Sequence, residues 1–126
     1  MKLLLDTHLL LWAVGPDERL SATARQLIGD PDNEVWFSTV SIWEVAIKHG
    51  RGRVEVDPRL LRRGLVDNLY CELSVTGEHA VAIANLPLLH HDPFDRMLVA
   101  QSLVEGITLL TSDPLVAQYP APVQKV

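Results

Sequence analysis

LLLDT, residues 3–7, decides how the chain is read: three apolar side chains, Leu3, Leu4 and Leu5, run without interruption into an acid and a hydroxyl. The same shape returns at 35–37 before Ser38-Thr39, and at 107–110 before Thr111-Ser112-Asp113. A short apolar run without alternation suits a strand covered on both faces, the habit of parallel sheets. Weaker strand candidates are 72–75 and, as an edge strand, 123–126. Between them lie helical stretches with recognisable ends. Ser21 caps a helix to Ile28 that Gly29 ends; Ser41 caps 42–49, ended by Gly50; Thr76 precedes a helix to about Asn85, stopped by Pro87. Asp92-Pro93 places a cap before proline at the first helical position and opens 94–105, closed by Gly106. Strands alternating with helices mean crossover units and a three-layer α/β/α sandwich. Residues 51–68, rich in Arg and containing Pro58, read as a loop and a short helix outside that alternation.

The 126 residues are about one domain long, and 48% hydrophobic content supplies a single core but not two. A net charge of -5 excludes a generally basic, nucleic-acid-coating surface, so any contact with phosphates must be local. Lys48, Arg51, Arg53, Arg59, Arg62 and Arg63 provide one candidate patch, six of the eleven basic residues within sixteen positions. The single cysteine, Cys71, forms no internal disulfide and is compatible with a reducing compartment. Only three apolar residues precede Asp6, too few for a secretory signal, and no stretch approaches the roughly 20 apolar residues of a membrane span. A soluble cytoplasmic protein is expected.

Ligands of doubly wound α/β folds bind beyond the carboxyl ends of the strands, where strand order reverses. Asp6 and Asp113 stand at such ends. Glu44 and Asp95, in the first turns of their expected helices, approach the same edge. Each acid also has an ordinary explanation. Ser41-x-x-Glu44 has the form of a capping box, Asp92 is an N-cap, Asp95 favours the positive end of a helix dipole, and Asp113-Pro114 resembles a cap. Taken together, four carboxylates at one edge repel one another unless a cation neutralises them. Hard oxygen donors without a Cys or His cluster at zinc spacing suit Mg²⁺ or Mn²⁺. Such ions serve phosphodiester hydrolysis, activating water and stabilising the leaving oxygen, with no side-chain nucleophile required. Thr7, Thr111 and Ser112 neighbour the acids as candidate substrate contacts, while His8, His90 and His91 read as supporting or surface residues rather than ligands. Arg96 is expected in a salt bridge or an interface.

LLLDTHLLLW at 3–12, SIWEVAIK at 41–48, HHDPFDRMLVAQ at 90–101 and LLTSD at 109–113 together resemble the PIN-domain family, specifically the VapC-type toxins of bacterial toxin-antitoxin modules. The likeness runs end to end, a single domain over 1–126. It implies a mainly parallel five-stranded α/β/α sandwich and an RNA-cleaving enzyme using Mg²⁺ or Mn²⁺. The family's acids fall on Asp6, Glu44, Asp95 and Asp113, with Asp92 matching an additional acid of less certain place in the metal shell. A homodimer and a cognate antitoxin partner are implied as well. Residues 50–70 follow no family motif and are expected to set which RNA or antitoxin is bound, with Lys48, Arg51 and Arg53 tracking an RNA backbone.

Two other readings compete. A receiver-like phosphotransfer domain also gathers acids at strand ends, but needs a second acid close after the first; Thr7 and His8 stand there instead. A non-cleaving PIN-like scaffold for RNA or a partner keeps the fold without the chemistry, and the intact four acids argue against it.

Overall fold

The structure is a computed structural model and describes residues 1–15 and 17–126. Five strands, β1 (Lys2–Leu5), β2 (Glu34–Ser38), β3 (Cys71–Leu73), β4 (Thr108–Thr111) and β5 (Val123–Lys125), form one sheet in the order β3-β2-β1-β4-β5. Every neighbouring pair is parallel. Six helices alternate with them: α1 (Thr7–Ala13), α2 (Ala22–Gly29), α3 (Thr39–Gly50), α4 (Pro58–Asp67), α5 (Gly77–Ala82) and α6 (Pro93–Glu105).

The layering follows from the two-residue period of a strand. Leu3, Leu5, Val35, Phe37 and Leu110 point into a core completed by Leu9 and Leu10 of α1, Ala24 of α2, Val45 of α3, and Leu61 and Leu65 of α4. Their neighbours Leu4 and Leu109 point to the opposite face, where Leu98, Val99 and Ala100 of α6 cover them. The three-layer sandwich with a five-stranded parallel sheet is therefore as expected. β1 connects to β2 on one side and pairs with β4 on the other, so strand order reverses between β1 and β4, and the crevice lies beyond Leu5 and Thr111.

Three elements differ from the sequence expectation, α1, α3 and β3. Residues 7–13 form a helix that was not anticipated, because Asp6, read as a strand exit, is also an N-cap: the Leu9 N–H donates to Asp6 Oδ1 at 2.9 Å. α3 starts at Thr39 under a Ser38 cap, three residues before the expected Ser41 cap, since β2 passes into the helix without a linker. The short helix expected within 51–68 is α4: the Asp57 side chain caps it, with proline at its start, the same signal as Asp92-Pro93, and its ten residues bury Leu61 and Leu65. β3 covers Cys71–Leu73 rather than 72–75, paired with Trp36–Ser38. α2, α5 and α6 start at the expected Ser21, Thr76 and Asp92 caps, and Gly106, at φ 67°, closes α6 in the left-handed region that glycine adopts without a Cβ penalty.

Candidate active site

Asp6, at the end of β1, is 3% exposed and both its oxygens are held. Oδ1 caps α1 and Oδ2 accepts from Thr111 Oγ1 at 2.6 Å. Burial drives its pKa above the ordinary carboxylate value, although Thr111, the Leu9 N–H and the nearby His8 favour the ionised form. The charge of Asp113 adds to the upward push, which puts the two strand-end acids within electrostatic reach of each other. Thr111 also accepts from the Asp113 backbone N–H at 3.0 Å, so one hydroxyl ties the two acids to the end of β4.

The earlier start of α3 alters the meaning of Glu44. It sits in the second turn, not at a capping position, and the expected Ser41-x-x-Glu44 capping box does not form. Ser41 is fully buried and accepts from Thr7 Oγ1 at 2.9 Å, clasping α1 to α3. Glu44 is 3% exposed; its Oε2 takes a hydrogen bond from Lys48 Nζ at 2.5 Å, one turn on, and its Oε1 has no partner among the described residues. A buried carboxylate oxygen left without a donor costs roughly 1–3 kcal/mol.

Asp95 lies in the first turn of α6 with its side chain 19% exposed. Burial, then the charges of Asp92, Asp6 and Glu44, push its pKa up to about 7, opposed by His90. Three acids from three separate elements thus act on one carboxyl. Asp92 itself is the cap of α6, its Oδ1 accepting from the Phe94 and Asp95 N–H groups. Asp113 is half-buried; burial raises its pKa, but donation by the Leu115 N–H at 2.8 Å and the contact with His90 outweigh it and hold the carboxyl below its ordinary value.

His90 is more central than the sequence reading made it. Its Nε2 lies 3.1 Å from Asp113 Oδ2 and 3.4 Å from Asp95 Oδ2, so the three residues offer ligand atoms within 4.8 Å of one another. Its Nδ1 accepts from the Asp92 N–H at 3.0 Å. A neutral imidazole accepting at Nδ1 carries its proton on Nε2, which in this arrangement faces the two acids. The His90 side chain is 18% exposed, so a surface location is ruled out. No sequence spacing announces this, since His90 and Asp113 are 23 positions apart.

Other expectations are redrawn. Thr7 and Thr111 are buried, and their hydroxyls are engaged within the protein, Thr7 Oγ1 donating to Ser41 and Thr111 Oγ1 to Asp6. Ser112 is half-buried beside Asp113. Arg96 makes no salt bridge among the described residues; it donates to the Pro87 and Ile83 carbonyls and to Tyr119 Oη. The basic stretch splits in two: Lys48 and Arg53 border a cleft beside the acids, whereas Arg59, Arg62 and Arg63 lie on α4, with Arg62 paired to Glu72 at 2.6 Å. Arg51 is exposed beyond the end of α3.

The PIN domain family model matches residues 3–121. The chain belongs to the PIN domain family. This PIN domain is similar to VapBC2 from Rickettsia felis bound to a DNA fragment from its promoter, with a TM-score of 0.73 at 12% identity over 100% of this chain and 99% of that one. It is likewise similar to DNA-bound VapBC from Salmonella typhimurium (TM-score 0.68, 12% identity, 99% and 98% covered) and to VapBC-1 from nontypeable Haemophilus influenzae (TM-score 0.65, 18% identity, 100% and 97% covered). At these identities the likeness establishes the fold. No curated protein sequence matches the chain.

The donor set suits a hard divalent cation. Asp95 and Asp113 offer oxygen beside His90, whereas Asp6 and Glu44 lie outside that close group and act on Asp95 through their charge; Glu44 Oε1 has no partner among the described residues, and burial, then the charges of Asp92, Asp6 and Glu44, raise the Asp95 pKa to about 7. Among the described residues no pair of Cys or His side chains forms a group that would favour a softer metal.

Proposed function

We propose that this PIN domain is a Mg²⁺- or Mn²⁺-dependent ribonuclease, the toxin of a VapBC-type toxin-antitoxin pair. Asp6, Glu44, Asp95 and Asp113 would hold the cation and Asp92 would act from the cap of α6. The carrying observation is the buried, donorless Glu44 Oε1 at the edge where the other three acids press on one another. When bound, a divalent cation there supplies a water made nucleophilic near neutral pH and charge stabilisation for the leaving oxygen. The chain's own residues do the positioning: Thr111 and the α1 N-terminus hold Asp6, His90 spans Asp95 and Asp113, and Lys48 balances Glu44 until the cation arrives. Lys48, Arg51, Arg53 and Ser112 are the residues left to meet RNA.

The antitoxin belongs to this reading because the similar solved structures are VapBC pairs. An apolar cleft of about 500 Å³ between α1 and α4, lined by Val14, Leu60, Leu61 and Tyr70 and distinct from the acid cluster, suits a protein partner. Homodimerisation is supported by Trp43, 60% exposed on α3 and in edge-to-face contact with Phe94 at 5.2 Å, a large apolar surface left open to a second copy. Sedimentation of wild type and Trp43→Glu tests it, the variant being expected as a monomer. A cytoplasmic location follows from acting on cellular RNA, and no helix among the described residues is long and apolar enough to cross a membrane.

The test of the chemistry is cleavage of a mixed RNA pool in Mg²⁺ or Mn²⁺. Loss of cleavage with a chelator and in Asp6→Asn is expected. Undiminished cleavage by Asp6→Asn overturns the assignment, and RNA binding without cleavage in either metal leaves a binding scaffold.

A further inference from the structure

We propose that the cleft bordered by α1 and the C-terminal half of α3 is a nucleotide subsite that receives the base and phosphate next to the scissile bond; this rests on the ribonuclease reading above. The cleft encloses about 360 Å³ and is lined by Thr7, His8, Trp12, Arg19, Lys48 and Arg53, among others. It adjoins the acid cluster through two of these. Thr7 directly follows Asp6, and Lys48 is the ion-pair partner of Glu44. A strand whose phosphate lies against the acids has this cleft as its neighbouring compartment.

One wall is built of planar groups already in register. The guanidinium of Arg19 lies over the Trp12 ring at 5.2 Å from its centroid, and the His8 ring is 6.0 Å from Trp12 at an interplanar angle of 34°. Arg19 also makes a bidentate pair with Asp17, at 3.0 and 2.7 Å. The pair neutralises the arginine's charge but leaves its flat face in place. Imidazole, indole and guanidinium planes are the surfaces on which unstacked RNA bases settle, and a preformed shelf needs little ordering on binding.

The opposite side supplies charge. Arg53 is exposed and forms no salt bridge among the described residues. Lys48 is engaged with Glu44, but a cation on Glu44 would release its ammonium to the cleft. A phosphate in the cleft thus meets one standing cation and one that metal binding frees. The combination of π-shelf and facing cations is that of single-strand binders, in which stacking tolerates sequence and Lys or Arg tracks the backbone. An acidic peptide would use the cations without using the shelf.

The experiment is a titration of ¹⁵N-labelled protein with single-stranded RNA hexamers in chelator, following the three tryptophan indole resonances. Trp12 is expected to move while Trp36 and Trp43 stay. Arg53→Ala is expected to weaken RNA binding about fivefold and to flatten the slope of log affinity against log salt by about 0.7, the share of one single-strand phosphate. Trp12→Leu is expected to weaken it about tenfold and Trp12→Phe far less, the aromatic variant controlling for packing. A response at Trp43 in place of Trp12 overturns the proposal, as does unchanged affinity in both Arg53→Ala and Trp12→Leu. Hexaglutamate moving Trp12 where RNA does not would also overturn it, in favour of a protein occupant. The two readings fail separately: metal-dependent cleavage by wild type with affinity indifferent to both variants sinks the subsite alone. Binding at Trp12 without cleavage in Mn²⁺ supports the subsite and sinks the ribonuclease reading.

Discussion

Asp95→Asn should stabilise the metal-free protein at alkaline pH and leave it unchanged in acid. Asp95 ionises near 7 in the folded chain, against an ordinary value of 3.8. Between those limits the folded state binds the proton that the unfolded state has released. The group's contribution to stability is therefore fully present below about pH 4, declines as pH rises, and is gone above about pH 7. A difference of about three pH units corresponds to about 4 kcal/mol at 1.36 kcal/mol each, a ceiling. Partial solvent access, with the side chain 19% exposed, and relaxation of Asp6 and Asp92 reduce it to about 2 kcal/mol. Asparagine keeps the shape and carries no charge, so it escapes the loss. Thermal or urea unfolding in chelator should show the variant equal to wild type near pH 4 and more stable at pH 8, by about 6–10 °C in midpoint. Mn²⁺ at pH 8 should narrow the gap by raising wild type more than the variant. A variant no more stable than wild type at pH 8 in chelator, or an advantage of the same size at pH 4.5, would refute the reasoning that Asp6, Glu44 and Asp92 act on this carboxyl.

Two further substitutions probe the supports of the site. Lys48→Met removes the partner of a carboxylate that is 3% exposed; with the lysine itself one-third exposed, the loss in chelator should be about 2 kcal/mol, below the range for fully buried pairs, and Mn²⁺ should restore most of it. Equal destabilisation with and without metal would contradict the exchange of ammonium for cation. Thr111→Val keeps volume but deprives Asp6 Oδ2 and the Asp113 N–H of a partner, for an expected cost of about 1–3 kcal/mol in chemical denaturation together with reduced RNA cleavage; full cleavage would show that Thr111 is not needed to hold the two acids.

Local chemistry made much of this protein legible. LLLDT and its two echoes announced buried parallel strands, and Ser21, Thr76, Asp92-Pro93 and Gly106 placed the helix ends that the structure has. Asp57-Pro58 carries the same signal as Asp92-Pro93 and fixes the start of the short helix expected within 51–68. Ser38 and Ser41 are equally good caps by composition. Choosing between them required knowing that β2 continues to Ser38 and that Ser41 is needed to receive Thr7.

The strand runs, the caps of α2, α5 and α6 and the positions of the acids were thus legible in the sequence alone, because each depends on a residue and neighbours within a few positions. Tertiary structure decided the rest. It took Glu44 out of a cap and left its Oε1 without a donor, brought His90 between Asp95 and Asp113, turned Thr111 from a substrate contact into a clamp on Asp6, and divided the basic stretch between the cleft and α4. These outcomes depend on which side chains from distant elements exclude water from one another, and burial, which moves Asp95 to about 7, is a property of that assembly and of no segment within it.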